Sequence, residues 1–298
     1  MKHIFRILTL ICLSAAVLTT FASADSGPKP HLVVRVENAP AVYYLDLLAE
    51  GNIEDDSVPF DSSGWNYPAE EAAALDTALL DSLRAAIPEG WHGCISEGST
   101  GAPIWGELYP EEFDKTGAPL HSFTYFGVPT VYRILMVSDT GEVFLSDTLE
   151  RKVLQCSATV DWAAKTVHTP PVWLGYALQF LSTLLPTLAV EFLILLLFRL
   201  RSKRNLWVFL LVNLITQGGL AVYAAVNTLA YGANIMVYIV FFIPIELAIL
   251  VAEAIAYRRW LSCSKGRATA YAVIANIASA ALGFWLMEPV WRFVVSIS

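Results

Sequence analysis

The stretch IPIELAILVAEAIAY, residues 243–257, sets two carboxylates, Glu246 and Glu253, seven residues apart in an otherwise apolar run. At 3.6 residues per turn, that spacing puts both on one helical face. Acids in such a setting bind a proton or a cation, or they accept hydrogen bonds from neighbouring helices. Related residues recur in three other apolar segments. Glu191 follows Thr183 and Thr187 at four-residue spacing, Asn213, Thr216 and Gln217 lie in the next segment, and Asn276 and Ser279 lie in the last. Counted inward at 1.5 Å per residue from the ends joined by basic loops, Glu191, Asn213 and Asn276 lie roughly 10 to 13 Å deep. Glu246 and Gln217 lie at roughly 17 Å and Glu253 at about 6 Å on the same count.

All four segments therefore contribute to one expected polar layer: Glu191, Asn213, Thr216, Gln217, Glu246, Glu253, Asn276 and Ser279. Two readings of it stay open. Such groups serve as interhelical hydrogen bonds, worth about 0.6 to 2 kcal/mol each, or they form a proton or cation site. The third segment holds thirteen Leu, Ile, Val or Phe residues, which favour insertion by roughly 4 to 8 kcal/mol. Two ionised carboxylates oppose this by about 2.5 to 3.5 kcal/mol each. Glu246 is accordingly expected to be protonated, or bound to a cation or donor, with Glu253 reaching toward the basic edge.

Several chemistries are excluded or disfavoured. No histidine follows His168, which removes intramembrane proteases that need His as metal ligand or as base. TGAPIWG and TQGGL lack the lysine and the context of a phosphate-cradling loop. EDDSVPFD lacks the alternation of a calcium loop. No metal and no cofactor are expected. In the exported part, His92 and His121 are the obvious bases for an enzyme, which ranks behind the other readings. Cys94 and Cys156 form an even pair in an oxidising compartment and read as a candidate disulfide.

The elements that must position these groups follow from composition. The chain of 298 residues is 56% hydrophobic and only 15% charged, whereas about a quarter of an ordinary soluble domain is charged. Residues 1–24 read as a signal peptide: Lys2 and Arg6, an apolar stretch from Ile7 to Phe21 that includes Cys12, then Ala22-Ser23-Ala24. Residues 25–170 carry 23 acidic and 8 basic residues, a net charge of −15. That acidity argues against nucleic acid as a partner, because phosphate contact relies on Lys and Arg.

Four apolar segments follow, at about 173–198, 206–227, 235–257 and 269–288, each long enough to span a bilayer. RLRSKRN and RRWLSCSKGR are basic, while NTLAYGAN is uncharged. Basic loops stay cytoplasmic, so loops 199–205 and 258–268 are expected inside, with residues 25–172 and the C-terminus outside a bacterial cytoplasmic membrane. Trp207 and Tyr271 are expected at the inner interface.

The fold class expected is a small α+β exported domain (25–162), a linker (163–172) and a four-helix transmembrane bundle (173–298). HLVVRVE and AVYYLDLLA read as strands joined at Asn38-Ala39-Pro40. PAEEAAALDTALLDSLRAAIPEG reads as an amphipathic helix with Pro68 in its first turn, and TVYRILMVSDTGEVFLSD as a hairpin turning at Asp139-Thr140-Gly141. VLQCSATV reads as a further strand. The segments STLLPTLAVEFLILLLF, NLITQ, IELAILVAE and ANIASAALG give the chain a resemblance to a set of bacterial membrane proteins. Those proteins comprise a signal peptide, a small exported domain and four C-terminal helices. The resemblance implies that architecture and no activity.

The function expected first is a non-enzymatic envelope protein whose exported domain binds a partner or ligand and whose bundle anchors it. Its partners are the lipid bilayer and an envelope protein or a second copy of itself. The alternative is a small proton- or cation-coupled transporter or channel using Glu191, Glu246 and Glu253.

Overall fold

The computed structural model describes residues 30–51, 73–98, 102–110, 112–231 and 235–297, with side chains for all of these except 229–231, 235–243, 246 and 283–297. The signal-peptide region and Pro68 lie outside the described residues. The chain forms two compact units, one built mainly from residues 29–175 and the other mainly from 176–227 and 236–294.

Alternation decides the first strand. In β1 (His31–Glu37), Leu32, Val34 and Val36 are fully buried and the residues between them are only partly covered, the period-two pattern of a strand with one core face. β2 (Tyr43–Glu50) is buried along six consecutive residues. It is covered because α1 (Thr77–Ala85) packs on β2 and on β6 (Val131–Ser138), using Leu79, Leu80 and Leu83. β3 is Trp91–Gly93, β4 Glu112–Phe113, β5 Pro119–Thr124, β7 Val143–Leu145, β8 Leu149–Glu150, β9 Gln155–Asp161 and β10 Thr166–His168. One sheet runs β10-β9-β1-β5-β4, with β1 and β9 parallel; the other runs β3-β2-β6-β7, with β8 on β6. Side chains from both sheets form one core.

The first two strands are joined where expected, the chain turning with Asn38 at φ 53°, and β1 and β2 then belong to different sheets. α1 is capped by Asp76, whose carboxylate accepts hydrogen bonds from the amides of Ala78 and Leu79; the expected first turn at Pro68 lies outside the described residues. The expected linker begins as strand β10, paired with β9. The domain is thus a β-sheet domain with one described helix longer than a turn. The hairpin between β6 and β7 turns where the sequence placed it, with Gly141 at φ 82°.

The Cys94–Cys156 disulfide is not formed; both are free thiols. Cys94 follows β3 in one sheet and Cys156 lies on β9 in the other, and a bridge requires Cα atoms about 4.4 to 6.8 Å apart with converging side chains. Burial pushes both thiols up, Cys156 to about 12, which leaves them inert. Adding a reductant will leave the melting temperature unchanged, and both thiols will react with a maleimide only after unfolding. A native disulfide would instead add about 2 to 4 kcal/mol that the reductant removes.

A second polar feature ties the β-sheet domain together. Asp46 on β2 has no solvent exposure. Its Oδ1 accepts from the Ile95 amide at 3.0 Å, and its Oδ2 from the Ser96 amide at 2.8 Å and the Ser96 hydroxyl at 2.6 Å. A side chain at Gly93 would bring a Cβ within 2.6 Å of Asp46 Oδ2, so only glycine leaves room for this pin.

The helical unit consists of α2 (Val172–Leu197), α3 (Lys203–Tyr231), α4 (Ile235–Trp260) and α5 (Lys265–Ile297). Among the described residues, two stretches are long and apolar enough to cross a membrane, Val172–Leu197 and Lys203–Thr228, rather than the four expected. α4 carries Glu253, Arg258 and Arg259, and α5 carries Lys265, Arg267 and Asn276, which lowers the apolarity of their described parts.

Candidate functional site

Large apolar side chains cover the outside of α2 and α3: Leu185, Leu193, Leu197, Trp207, Leu211 and Ile215 are all at least half exposed. The polar side chains of these helices turn inward instead. Glu191 and Glu253 are each 1% exposed, and Asn213, Tyr257 and Tyr271 are fully buried. This inverts the usual arrangement of a soluble helical domain.

Six of the eight expected layer residues meet there in a crossed arrangement. Glu191 on α2 takes Asn213 Nδ2 of α3 on its Oε2 at 2.9 Å, and Ser279 Oγ of α5 on its Oε1 at 3.3 Å. Glu253 on α4 takes Asn276 Nδ2 of α5 on its Oε2 at 2.7 Å, and Thr216 Oγ1 of α3 on its Oε1 at 2.6 Å. Each acid thus receives one amide and one hydroxyl, one from α3 and one from α5. The spacing explains this, because Asn213/Thr216 and Asn276/Ser279 are i, i+3 pairs that stand one above the other on a helix face. The two acids lie within electrostatic reach of each other.

Two tyrosines extend the network. Asn213 Nδ2 lies 2.9 Å from Tyr257 Oη as well as 3.2 Å from the Phe209 carbonyl. The Tyr257 and Tyr271 rings meet edge to face with centroids 5.1 Å apart, and Tyr271 Oη lies 3.5 Å from the Glu191 carbonyl. Tyr271, expected at an interface, is instead part of this buried group. Nothing in its spacing marked it, because Tyr271 lies five residues before Asn276 and so off the Asn276/Ser279 face of α5. Trp207 is 63% exposed, as an interface residue would be.

Gln217 is half-buried and takes no part in these bonds. The side chain of Glu246 lies outside the described residues, so the expected charge state of that acid has no counterpart here. Asn205 was missed: its Oδ1 accepts from the Ser262 amide at 2.8 Å and ties the start of α3 to the loop after α4.

The electrostatics of the pair are unusual. Among the described residues, no Lys, Arg or His forms an ion pair with Glu191 or Glu253; the ion pairs present all lie in the β-sheet domain. Nor do the described residues gather three or more His, Cys, Asp or Glu side chains around a metal position. The four neutral neighbours donate toward the carboxylates, whereas a hard cation requires a shell of oxygen acceptors. The arrangement fits a proton better than a metal ion.

The two candidate bases of the β-sheet domain, His92 and His121, are engaged elsewhere. His92 Nδ1 lies 3.0 Å from the Gly51 carbonyl, and His121 bridges Tyr43 Oη at 2.9 Å and the Glu107 carbonyl at 3.2 Å. Burial pushes His121 down to about 4, so it is neutral, donating from Nδ1 to Glu107 and accepting from Tyr43. On the same domain Trp105 stacks on Tyr125 with centroids 4.3 Å apart, Phe126 meets Tyr125 edge on, and Trp105 and Phe126 are exposed. Tyr125 holds φ 88°, a conformation that costs a bulky residue about 1 to 3 kcal/mol.

No protein-family model matches this chain, and no curated protein and no solved structure matches it either.

Proposed function

We propose that the four helices form a bundle within a bilayer and that Glu191 and Glu253 hold an exchangeable proton at its centre, making this a small proton-coupled membrane protein. The observation that carries the reading is the pair itself: two buried carboxylates from different helices, four neutral hydrogen-bond partners and no described counter-cation. Two ionised acids in a medium of low dielectric repel strongly, and a single proton relieves that cost. Intramembrane acids of this kind commonly mark proton paths. The inverted polarity of α2 and α3, with apolar side chains outward, supports lipid as the surroundings.

The β-sheet domain is exported in this reading and the basic loops face the cytoplasm. Cys263, a free thiol in the loop after α4, reports the sidedness. In sealed vesicles a membrane-impermeant maleimide will label it in inverted but not in right-side-out preparations; the opposite result would reverse the topology.

Proton flux tests the function directly. Liposomes containing the wild-type protein and an internal pH dye will equilibrate an imposed pH gradient, and Glu191→Gln will abolish that flux. Equal rates for empty liposomes, wild type and variant would overturn the proton-coupled reading.

A second reading assigns partner binding to the exported domain. It is favoured by the exposed aromatic group around Tyr125, whose strained backbone is the kind of feature that function retains.

A further inference from the structure

Each acid of the pair has two chemically different oxygens. Oε2 of Glu191 and Oε2 of Glu253 each face an asparagine Nδ2, at 2.9 and 2.7 Å. An amide nitrogen can only donate, so these oxygens act as acceptors whether the acid is ionised or not. Oε1 faces a hydroxyl in both cases, and a hydroxyl donates or accepts. Each hydroxyl also has a second acceptor within reach on its own helix. Thr216 Oγ1 lies 3.0 Å from the Val212 carbonyl, and Ser279 Oγ lies 3.1 Å from the Asn276 carbonyl.

We propose that Oε1 of Glu191 and Oε1 of Glu253 are the oxygens that carry the exchanged proton, and that Ser279 and Thr216 are positioning residues that turn to accommodate it. This rests on the proton-exchange reading above. In the ionised state the hydroxyl hydrogen points at Oε1. When hydronium delivers a proton to Oε1, one O–H bond of the hydronium breaks, a new O–H bond forms on Oε1 and a neutral water leaves. The hydroxyl hydrogen swings to the helix carbonyl, and the hydroxyl oxygen accepts from the new carboxylic acid. No heavy atom moves, and each group keeps its hydrogen bonds in both states.

A second observation also points to an exchangeable hydrogen here. Asn213 is fully buried, its Nδ2 has three acceptors for two hydrogens, and its Oδ1 has no partner among the described residues. The site thus holds a spare acceptor beside Glu191. Among the described residues, the titratable groups at the site are Glu191 from α2, Glu253 and Tyr257 from α4, and Tyr271 from α5, while α3 contributes Asn213 and Thr216 to the bonds.

Infrared difference spectra of the whole protein in lipid nanodiscs, taken between acid and alkaline pH, read the carboxylic acid band. Glu191→Gln and Glu253→Gln will each remove a distinct part of that band, and the double variant will remove both parts, leaving the share of Asp46 and the other carboxyls. Thr216→Val will shift the Glu253 part to higher frequency, because its O–H loses its acceptor, and Thr216→Ser will restore it. Ser279→Ala and Ser279→Thr will do the same for Glu191, so the test survives if one variant fails to fold. A band left whole by the double variant, or one unmoved by both Thr216→Val and Ser279→Ala, would overturn the assignment. Flux absent with the band behaving as expected would instead overturn transport alone, and flux present with an unmoved band would overturn this assignment alone.

Discussion

Asn276→Asp will destabilise the helical unit by about 3 kcal/mol or more at neutral pH, whereas Glu253→Gln will change it by less than about 1 kcal/mol. The two substitutions exchange the same pair of atoms in opposite senses. Asn276→Asp sets a second carboxylate oxygen about 2.7 Å from Glu253 Oε2, where a donor now stands. Repulsion at that distance amounts to several kcal/mol even at an effective dielectric of about 20. The loss will shrink on acidification, because one proton shared between the two carboxyls restores a donor. Glu253→Gln keeps an oxygen for Asn276 and turns an NH2 toward Thr216, whose hydrogen then goes to the Val212 carbonyl 3.0 Å away. Unfolding curves in detergent at two pH values separate the outcomes. Equal destabilisation by both variants would show that Thr216 cannot turn.

Asp46→Asn will cost the β-sheet domain about 2 kcal/mol and will also change how its stability depends on pH. The direct cost arises because an NH2 at either carboxylate position faces a backbone amide, of Ile95 or of Ser96. The pH effect follows from two buried groups of opposite sign. Burial pushes Asp46 up to about 7 against the opposing pull of its hydrogen bonds. Its contribution to stability is therefore complete below its unfolded value near 4 and is lost as pH rises toward 7. Burial pushes His121 down to about 4, so its contribution is complete above its unfolded value near 6.5 and is lost as pH falls toward 4. Each amounts to about 3 to 4 kcal/mol at 1.36 kcal/mol per pH unit, and they oppose each other across the same window.

The wild-type domain will therefore be nearly level in stability between pH 4 and 6.5, while Asp46→Asn will lose about 3 kcal/mol on acidification over that range. Asp114 and Asp161, held low chiefly by Thr116 and by Asn38 respectively, act below that window. Denaturant titrations of the full chain, read by pulse proteolysis of the β-sheet domain, provide the measurement. A wild-type curve that falls steeply toward acid would show that Asp46 contributes no opposing slope.

The sequence by itself determined the helical segments, most of the strands and six residues that meet in the polar layer. Those signals are local: runs of apolar residues, alternation in HLVVRVE, and acids or amides that no apolar helix retains without a reason. Turn residues were equally legible, since Gly141 alone allows the positive φ that the β6–β7 turn requires. Tertiary structure decided which partners meet. Sequence order gave no sign that β1 would leave β2 and pair with β9, more than a hundred residues away. Cysteine count suggested a bridge, but Cys94 and Cys156 are both free thiols.

The layer shows the same division. Glu246 and Glu253 draw attention because they are neighbours on one helix, yet among the described residues the acid bonded beside Glu253 to the same two helices is Glu191, from a different one. Depth along a helix can be counted from sequence. Rotation about its axis cannot, because it is set by how helices pack, and rotation decides whether a side chain faces a neighbour or lies to one side, as Gln217 does.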